Sequence, residues 1–313
     1  MEISILLIKQ ILSLVVMGLA GYGLRRSGML NHEESRGLTV ACLYVCVPCT
    51  MFQAFQTDIT PEKLAGFLYA VTAVAVVHAV FFAFVWLAGR LYPMNGLEKA
   101  SVIYSNSGNL IIPLVIGVFG SEYVFYTSAY LFVQNALLWS HGQRIMRKES
   151  KVSWKKIFFT PPIIAIFLGI VFMAMDWSLP EVIDTAFSGL ASCIGPVSML
   201  TIGILIAEMD LKKIFVNRRI YVMTAFRLLI CPALTIVSVC LVWMLFPVKV
   251  DQVLCLIVLL GSCGPAATSV AQMAQMFDND PGYASSINVL TTFGSIVTMP
   301  LMMMAAQLVL QWI

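Results

Sequence analysis

The stretch SNSGN at residues 105–109 interrupts an apolar run that extends from residue 100 to residue 119, and Pro113 follows it in the same run. Glycine and proline both disfavour a continuous helix. In a hydrocarbon environment, unwound backbone is tolerated only where it is buried in protein or lines a cavity. The stretch therefore predicts a helix that is broken near its middle.

The composition of the whole chain places this break inside a membrane. Of the 313 residues, 60% are hydrophobic and only 11% are charged, whereas soluble domains carry about 25% charged residues. A soluble protein of this length could not bury so much apolar surface. The composition thus indicates a polytopic membrane protein and excludes the secreted, disordered and nucleic-acid-binding classes.

Ten apolar segments are long enough to cross the roughly 30 Å hydrocarbon core of a bilayer as helices. The first of them lacks the basic residues and the cleavage site of a signal peptide, so we interpret it as a retained helix. The sequence predicts an all-α polytopic fold with ten transmembrane helices. We number the segments 1 to 10 in chain order: 3–24, 38–56, 64–89, 100–119, 122–143, 161–177, 181–207, 220–245, 252–276 and 283–312.

Lysine and arginine are distributed unevenly among the loops between these segments. The loops after segments 1, 3, 5 and 7 together carry fifteen of them, whereas the remaining loops carry only Lys63 and Lys249. Basic residues in short loops favour the cytoplasmic side of the membrane. We therefore predict a multi-pass protein of the plasma membrane with both termini outside the cell.

Three short patterns recur in the two halves of the chain, in the same order and at offsets of 148 to 156 residues. Each match is weak alone, but together they indicate an internal repeat. Because each half holds five segments, an odd number, the second half must be inverted relative to the first. The paired positions are Pro48 with Pro196, residues 105–109 with residues 261–265, and Asn135 with Asn288.

The repeat divides the chain into residues 1–143, the first repeat, residues 144–160, a basic cytoplasmic linker, and residues 161–313, the second repeat. Inverted repeats are typical of secondary transporters, which bind their substrates between the repeats near the membrane midplane. Segment 9 contains Gly264 and Pro265 at the place that corresponds to the break in segment 4. A simple kink is the alternative interpretation, because glycine and proline are frequent in membrane helices.

The two breaks predict an anion-binding site. The helices after Pro113 and Pro265 begin near the midplane from opposite sides, so each directs a positive N-terminal end at the centre. Unwound carbonyl groups nearby could instead hold a cation. The candidate substrate-binding residues are Asn106, Ser107, Gly108, Asn109, Pro113, Gly264, Pro265 and Arg227, with Pro48, Pro196, His78, Asn135 and Asn288 as supporting residues.

Two of the basic side chains within the apolar segments are candidates for a functional role. Arg227 is about 10 Å from the start of segment 8, given a rise of about 1.5 Å per residue; it either snorkels or makes structural hydrogen bonds, or it binds a substrate carboxylate. His78 in segment 3 is either its pseudo-symmetric partner or a neutral histidine bonded to a backbone carbonyl. No Asp or Glu lies in the middle of a segment, so we expect no carboxylate proton relay and no obligatory sodium coupling.

The sequence resembles the auxin efflux carrier family, which includes the plant PIN-type carriers and bacterial relatives named malate permeases. The resemblance covers nearly the whole chain, and it rests on motifs in segments 4, 7, 8, 9 and 10. These motifs are residues 105–108 with Pro113-Leu114, Gly195-Pro196 with Gly203, residues 227–232, Gly264-Pro265, Pro281 and Pro300-Leu301.

The resemblance implies a fold similar to that of bile acid–sodium symporters, with ten helices and a crossing of segments 4 and 9. Segments 3–5 and 8–10 would form a mobile transport domain, and segments 1, 2, 6 and 7 a scaffold that forms a homodimer. Family substrates are small organic anions, either auxin-like carboxylates or dicarboxylates such as malate. The short loop at residues 144–160 indicates a prokaryotic member.

Functions other than that of a carrier have weaker support in the sequence. The GSCG sequence at residues 261–264 resembles a nucleophile turn, but only His78 and His141 could serve as its base, so we expect no enzyme. Cys42, Cys46 and Cys49 share a helical face without a histidine or carboxylate, which favours packing over a soft-metal site, and we expect no cofactor. An anion channel, a transport-derived sensor and a sodium- or proton-coupled symporter remain alternatives.

Overall fold

The computed structural model describes residues 2–30, 37–38, 40–56, 60–146, 161–208, 217–277 and 279–313, and this part of the chain is helical apart from one isolated β-bridge. Most of the predicted linker, residues 147–160, lies outside the described residues. The α-helices are α1 (Glu2–Arg26), α2 (Val47–Gln53), α3 (Pro61–Leu91), α4 (Gly96–Ile103), α5 (Ile112–Val118), α6 (Val124–Leu137), α7 (Gln143–Met146), α8 (Pro161–Ala174), α9 (Glu181–Ser192), α10 (Ile194–Glu208), α11 (Arg218–Ala225), α12 (Cys231–Leu245), α13 (Val253–Cys263), α14 (Thr268–Met276) and α15 (Pro281–Leu310).

Four stretches are long and apolar enough to cross a membrane by length and composition: Pro61–Leu91, Glu181–Ile204, Arg218–Leu245 and Gly282–Leu310. Two shorter apolar helices, α8 and α13, accompany them. An all-helical chain satisfies its backbone groups within each segment, as a hydrocarbon environment demands. The structure is therefore consistent with the polytopic membrane protein that the composition predicts.

Three prolines occupy the same position in their helices, each after a π-helical turn. Pro48, Pro113 and Pro232 each lie at the second position of an α-helix, in α2, α5 and α12, and each is preceded by a five-residue π-helical turn. Proline has no N–H to donate and its ring crowds the preceding turn, so a wider turn absorbs the mismatch. Segment 7 behaves differently, since it divides at Cys193 into α9 and α10, three residues before Pro196.

The helices pack in two groups. α1 lies along α10, and α2 packs against α8 and α9. α3 packs against α6 and α12, while α15 contacts α11, α13 and α14. Phe52, Phe55 and Phe125 are buried in the core around α2 and α8. A larger core joins the helices of the second group and includes Leu14 on α1 and Met199 on α10.

At one end of the molecule, the buried carboxylate of Glu98 joins residues from several loops by hydrogen bonds. Glu98 at the start of α4 accepts hydrogen bonds from Arg219 Nε at 2.8 Å, Arg219 Nη2 at 2.9 Å, Tyr283 Oη at 2.7 Å and the backbone N of Asn95 at 2.9 Å. Asn279 Nδ2 donates to Met146 O at the same end of these segments. The loops after segments 3, 5, 7 and 9 thus come together there.

The opposite end holds a charged cavity of about 330 Å³. Its lining brings together the loops before segment 3, before segment 5 and before segment 9. The charged residues around it are Glu62, Lys63, Glu122, Lys249 and Asp251. The loops after segments 2, 4 and 8 therefore lie together at this cavity.

The contact between α1 and α10 gives a first testable prediction, because it depends on glycine. A Cβ on Gly21 would lie 2.8 Å from the carbonyl carbon of Leu200, whereas a Cβ on Gly23 would meet nothing within 4 Å. Gly21→Leu should destabilise the fold by about 3 kcal/mol through overpacking against backbone. Gly23→Leu, two residues away on the same helix, should change the stability by less than about 0.5 kcal/mol.

Thermal unfolding of the two purified variants in detergent measures this difference. Equal unfolding temperatures would show that α1 does not pack on α10 through Gly21.

Candidate functional site

Two unwound stretches meet where segments 4 and 9 are interrupted. Tyr104–Asn106 follows α4, Pro265–Ala267 follows α13, and Ser105 forms an antiparallel bridge with Ala266. Asn106 N donates to Pro265 O at 2.8 Å, and Ala267 N donates to Tyr104 O at 3.0 Å. We call these six residues, 104–106 and 265–267, the crossover.

The side chain of Gln134 on α6 binds the first strand of the crossover, Tyr104–Asn106, on the side away from the second strand, Pro265–Ala267. Its Oε1 accepts from Ser105 N at 3.0 Å, and its Nε2 donates to Ser105 O at 2.8 Å and to Ser107 Oγ at 2.7 Å. The side chain is 3% exposed. One amide group thus satisfies both backbone groups of Ser105, which would otherwise be buried without partners.

Two residues on α15 do the same for the second strand. Ala266 N donates to Thr291 Oγ1 at 3.0 Å, and Asn288 Nδ2 donates to Ala266 O. The central residue of each strand is therefore fixed by side chains from the segment that follows it. The two halves of the chain thus make corresponding contacts at the crossover, in addition to their sequence matches.

In the structure Gln134, and not Asn135, makes the contact in segment 5 that corresponds to that of Asn288 in segment 10. Asn288 lies at the crossover as expected, but its counterpart is Gln134, and the side chain of Asn135 makes no hydrogen bond to any residue that the structure describes. One residue along a helix rotates a side chain by about 100°, onto another face. A comparison by residue type favoured the asparagine and missed the glutamine beside it.

Arg227 lies in the π-helical turn before α12 and is fully buried. Its Nε donates to Gly264 O at 2.9 Å, Nη1 to Val102 O at 3.0 Å and Ile103 O at 3.3 Å, and Nη2 to Ser262 O at 2.6 Å. All four acceptors lie at the C-terminal ends of α4 and α13. These contacts favour the structural alternative for Arg227, since its donors point at backbone carbonyl groups.

His78 on α3 is also fully buried. Its Nδ1 lies 2.9 Å from Val74 O, and because a carbonyl can only accept, Nδ1 carries the proton. Its Nε2 has no partner among the described residues, and the rings of Phe81, Tyr104 and Tyr130 surround it. This is the arrangement of a neutral histidine bonded to a carbonyl, the second of the two alternatives.

Asn106 carries an unpaired donor at the crossover. Its side chain is 5% exposed, and Nδ2 has no partner in the described structure. The residue directly precedes the helical stretch that runs from Ser107 through α5. Leaving a buried amide unpaired costs about 1–3 kcal/mol, so such a group is a candidate for binding a ligand.

The remaining candidates fall partly at the interrupted segments and partly elsewhere in the fold. Ser107, Pro113, Gly264 and Pro265 are all buried, and a Cβ built on Gly195 would lie 3.5 Å from Pro113 Cβ. The backbone of Gly108 and Asn109 belongs to the π-helical turn, and their surroundings are not described. Pro48 and Pro196 lie on α2 and α10, outside the crossover.

A cavity of about 320 Å³ lies between α1, α10, α15 and the second half of segment 4, and no crossover residue lines it. Thr292 and Ser295 on α15 and Tyr22 on α1 give it polar groups, and the rest of the lining is apolar. Such a volume suits a small organic molecule. The lining residues are Leu14, Val15, Gly18, Leu19, Tyr22, Leu110, Leu114, Met199, Ile202, Gly203, Ile206, Thr292, Phe293, Ser295, Ile296 and Met299.

The three cysteines of segment 2 are buried beside α8 and α9, and Cys42 Sγ lies 3.1 Å from Ser198 Oγ. Within the described residues, no three His, Cys, Asp or Glu side chains are close enough to share a metal ion.

The role of Gln134 can be tested against its neighbour. Gln134→Ala leaves the N–H and the C=O of Ser105 unpaired, so we expect a loss of about 2–4 kcal/mol of folding stability. Asn135→Ala removes an amide of similar chemistry that makes no such contact, and it should cost less than about 1 kcal/mol. Thermal unfolding of both variants in detergent compares them, and a larger loss for Asn135→Ala would contradict this assignment.

Comparisons with known proteins identify relatives over almost the whole chain. The model of a family described as "Membrane transport protein" matches residues 6–303. An "Uncharacterized transporter" of Methanothermobacter thermautotrophicus is 26% identical over 93% of this chain and 95% of the relative. The "Uncharacterized transporter MJ1031" of Methanocaldococcus jannaschii is 22% identical over 92% of this chain and 95% of the relative. The chain therefore belongs to the membrane transport protein family, and this confirms its resemblance to the auxin efflux carriers.

Proposed function

We propose that the protein is a secondary transporter, an exporter or uniporter, that carries a small organic anion across the cell membrane by alternating access around the crossover. Membership in a membrane transport family supports the general class and speaks against an enzyme. The observation that carries the finer proposal is the buried, unpaired Nδ2 of Asn106 at the meeting point of two interrupted segments. Transporters commonly bind substrates at such breaks.

Two helix N-termini at the crossover supply N–H donors for an anionic ligand. The helical stretches that begin at Ser107 and at Thr268 both start there, and a helix N-terminus carries roughly half a positive charge and unpaired N–H groups. Together with the amide of Asn106 they form a set of donors suited to a carboxylate. Asn106, Ser107, Gly108, Asn109, Pro113, Gly264 and Pro265 are the proposed substrate-binding residues.

We infer that the body of the substrate occupies the apolar cavity, whose lining includes Leu110 and Leu114 on the helical stretch that follows Asn106, and this narrows the substrate class. Apolar side chains dominate its lining, and burying a second carboxylate among them without a partner is costly. An auxin-like carboxylate with an apolar body therefore suits the cavity better than a dicarboxylate such as malate.

The architecture in this proposal has ten membrane-spanning segments in two inverted repeats, residues 1–143 and 161–313, joined by the cytoplasmic linker at residues 144–160. Segments 1, 2, 6 and 7 form the scaffold of a homodimer, and segments 3–5 and 8–10 form the transport domain. The matching contacts of Gln134 and of Asn288 with Thr291 support the repeat. The packing of α1 on α10 and of α2 on α8 and α9 supports the scaffold.

Flux into proteoliposomes tests the function directly. The purified protein is screened by thermal shift against mono- and dicarboxylates, and the best ligand is then used in uptake and counterflow assays. We expect saturable uptake that an excess of unlabelled ligand on the opposite side accelerates. Flux that does not saturate, together with single-channel currents, would favour the anion channel, and binding without any flux would favour the sensor.

The orientation gives a separate prediction. In a background without native cysteines, Ser150→Cys should be protected from an impermeant thiol reagent on intact cells, whereas a cysteine added after Ile313 should react. The reason is the concentration of fifteen basic residues in alternate loops, which favours the cytoplasm for residue 150. Labelling of Ser150→Cys from outside would overturn this topology.

A further inference from the structure

Arg227 brings a full positive charge to the ends of two helices from different halves of the chain. α4 and α13 both end at the crossover, and each helix C-terminus carries roughly half a negative charge. The guanidinium of Arg227 binds carbonyl oxygens of both ends, at residues 102 and 103 of one and at residues 262 and 264 of the other. It is fully buried, and no carboxylate of the described residues pairs with it.

Four carbonyl groups within the crossover also accept hydrogen bonds from the protein. Those of Tyr104 and Pro265 accept from the backbone of the opposite strand, and those of Ser105 and Ala266 accept from Gln134 and Asn288. In transporters with broken helices, such unwound carbonyls coordinate the coupling cation. Here a guanidinium donates to the carbonyl groups of Ser262 and Gly264, and side-chain amides donate to those of Ser105 and Ala266, so a metal ion bound there would be repelled by the charge of Arg227.

The sum of the charges at the crossover then favours one negative charge on the ligand. Four helix ends meet there, two C-terminal and two N-terminal, and their partial charges of roughly one half cancel. Arg227 adds one full positive charge that nothing among the described residues neutralises. In a site of effective dielectric about 20, a unit charge roughly 10 Å away changes the affinity for an anion by about tenfold or more.

We propose that Arg227 is a built-in cation of the crossover, which stands where a coupling cation would otherwise bind and which selects a singly charged anion without touching it. The proposal rests on the proposed function for its ligand, an organic anion. It makes Arg227 a positioning residue, since it acts through the carbonyl groups that it holds and through its charge.

Chemical rescue separates the charge of Arg227 from its hydrogen bonds. Arg227→Ala removes the guanidinium, which methylguanidinium can replace with its charge and N-methylurea can replace in shape alone. Without any carboxylate present, the unfolding temperature of this variant should rise by several degrees with millimolar methylguanidinium and stay unchanged with N-methylurea. This readout does not depend on transport, so it distinguishes a failure of this proposal from a failure of the proposed function.

A matched pair of ligands then tests selectivity. The wild-type protein should bind phenylacetate at least tenfold more tightly than phenylacetamide, Arg227→Ala should lose this preference, and methylguanidinium should restore it. Equal rescue by N-methylurea would overturn the proposal and leave Arg227 a hydrogen-bonding role only. A preference that persists in Arg227→Ala would also overturn it.

Two further variants cover the case in which Arg227→Ala does not fold. Arg227→Lys keeps the charge, and Arg227→Gln keeps hydrogen-bond donors without it. The lysine variant should retain most of the preference for phenylacetate, and the glutamine variant should lose it. Identical preferences in the two variants would refute the role of the charge.

Discussion

Replacing Asn106 with alanine should lower the affinity for the organic anion by about tenfold, and replacing it with aspartate should lower it by at least about a hundredfold. Nδ2 of Asn106 is buried and has no partner among the described residues, so a bound carboxylate would supply its only acceptor. A hydrogen bond to a charged group contributes about 1.5–3 kcal/mol. Aspartate adds repulsion of about 3 kcal/mol if its charge lies about 5 Å from the ligand charge at an effective dielectric of 20.

The stability of the Asn106 variants provides the internal control. Because Nδ2 donates to no described group in the free protein, Asn106→Ala leaves nothing unpaired, and its unfolding temperature should stay within about 2 °C of the wild type. Gln134→Ala should show the reverse pattern near the same strand, with a lower unfolding temperature. Titration calorimetry with the best carboxylate measures the affinities, and unchanged binding by Asn106→Ala would remove Asn106 from the site.

The break in segment 4 is a feature that sequence reasoning could anticipate. Glycine at 108 and proline at 113 are local signals, and their effect on the backbone does not depend on distant partners. The structure places the unwound residues at Tyr104–Asn106, just before these signals, and a π-helical turn precedes the helix that contains the proline. The position of the break can thus be predicted from this glycine and this proline, whereas the backbone conformation at the break depends on local geometry.

The hydrogen-bond acceptors of Arg227 could not be predicted from a sequence pattern. A lone arginine in an apolar segment shows only that a charge must be satisfied, and its acceptors come from residues more than 30 positions away in the chain. Backbone carbonyl groups have no residue type, so no motif identifies them. The same holds for Gln134, whose function depends on lying beside the backbone of Ser105.

The membrane potential should drive the transported anion strongly. In proteoliposomes with an imposed potential of 100 mV, a singly charged anion should reach a concentration about fiftyfold higher on the positive side at equilibrium, because about 2.3 kcal/mol is gained per charge. Fixed charges such as Arg227 return to their starting state in each cycle, so the final distribution depends only on the charge that crosses. Labelled phenylacetate, with valinomycin and a potassium gradient, measures the ratio, and uncharged phenylacetamide is the control.

Replacing sodium with choline in the same experiment should change the initial rate by less than twofold. Arg227 donates to the carbonyl group of Gly264 next to the crossover, and Gln134 and Asn288 donate to those of Ser105 and Ala266. The charge of Arg227 would repel a sodium ion at these oxygens and favours an anion. In a cell with a negative interior, the potential alone then suffices to drive efflux, without a cation gradient. A strict sodium requirement would exclude uniport and indicate the sodium-coupled alternative, with the cation bound outside these carbonyl groups.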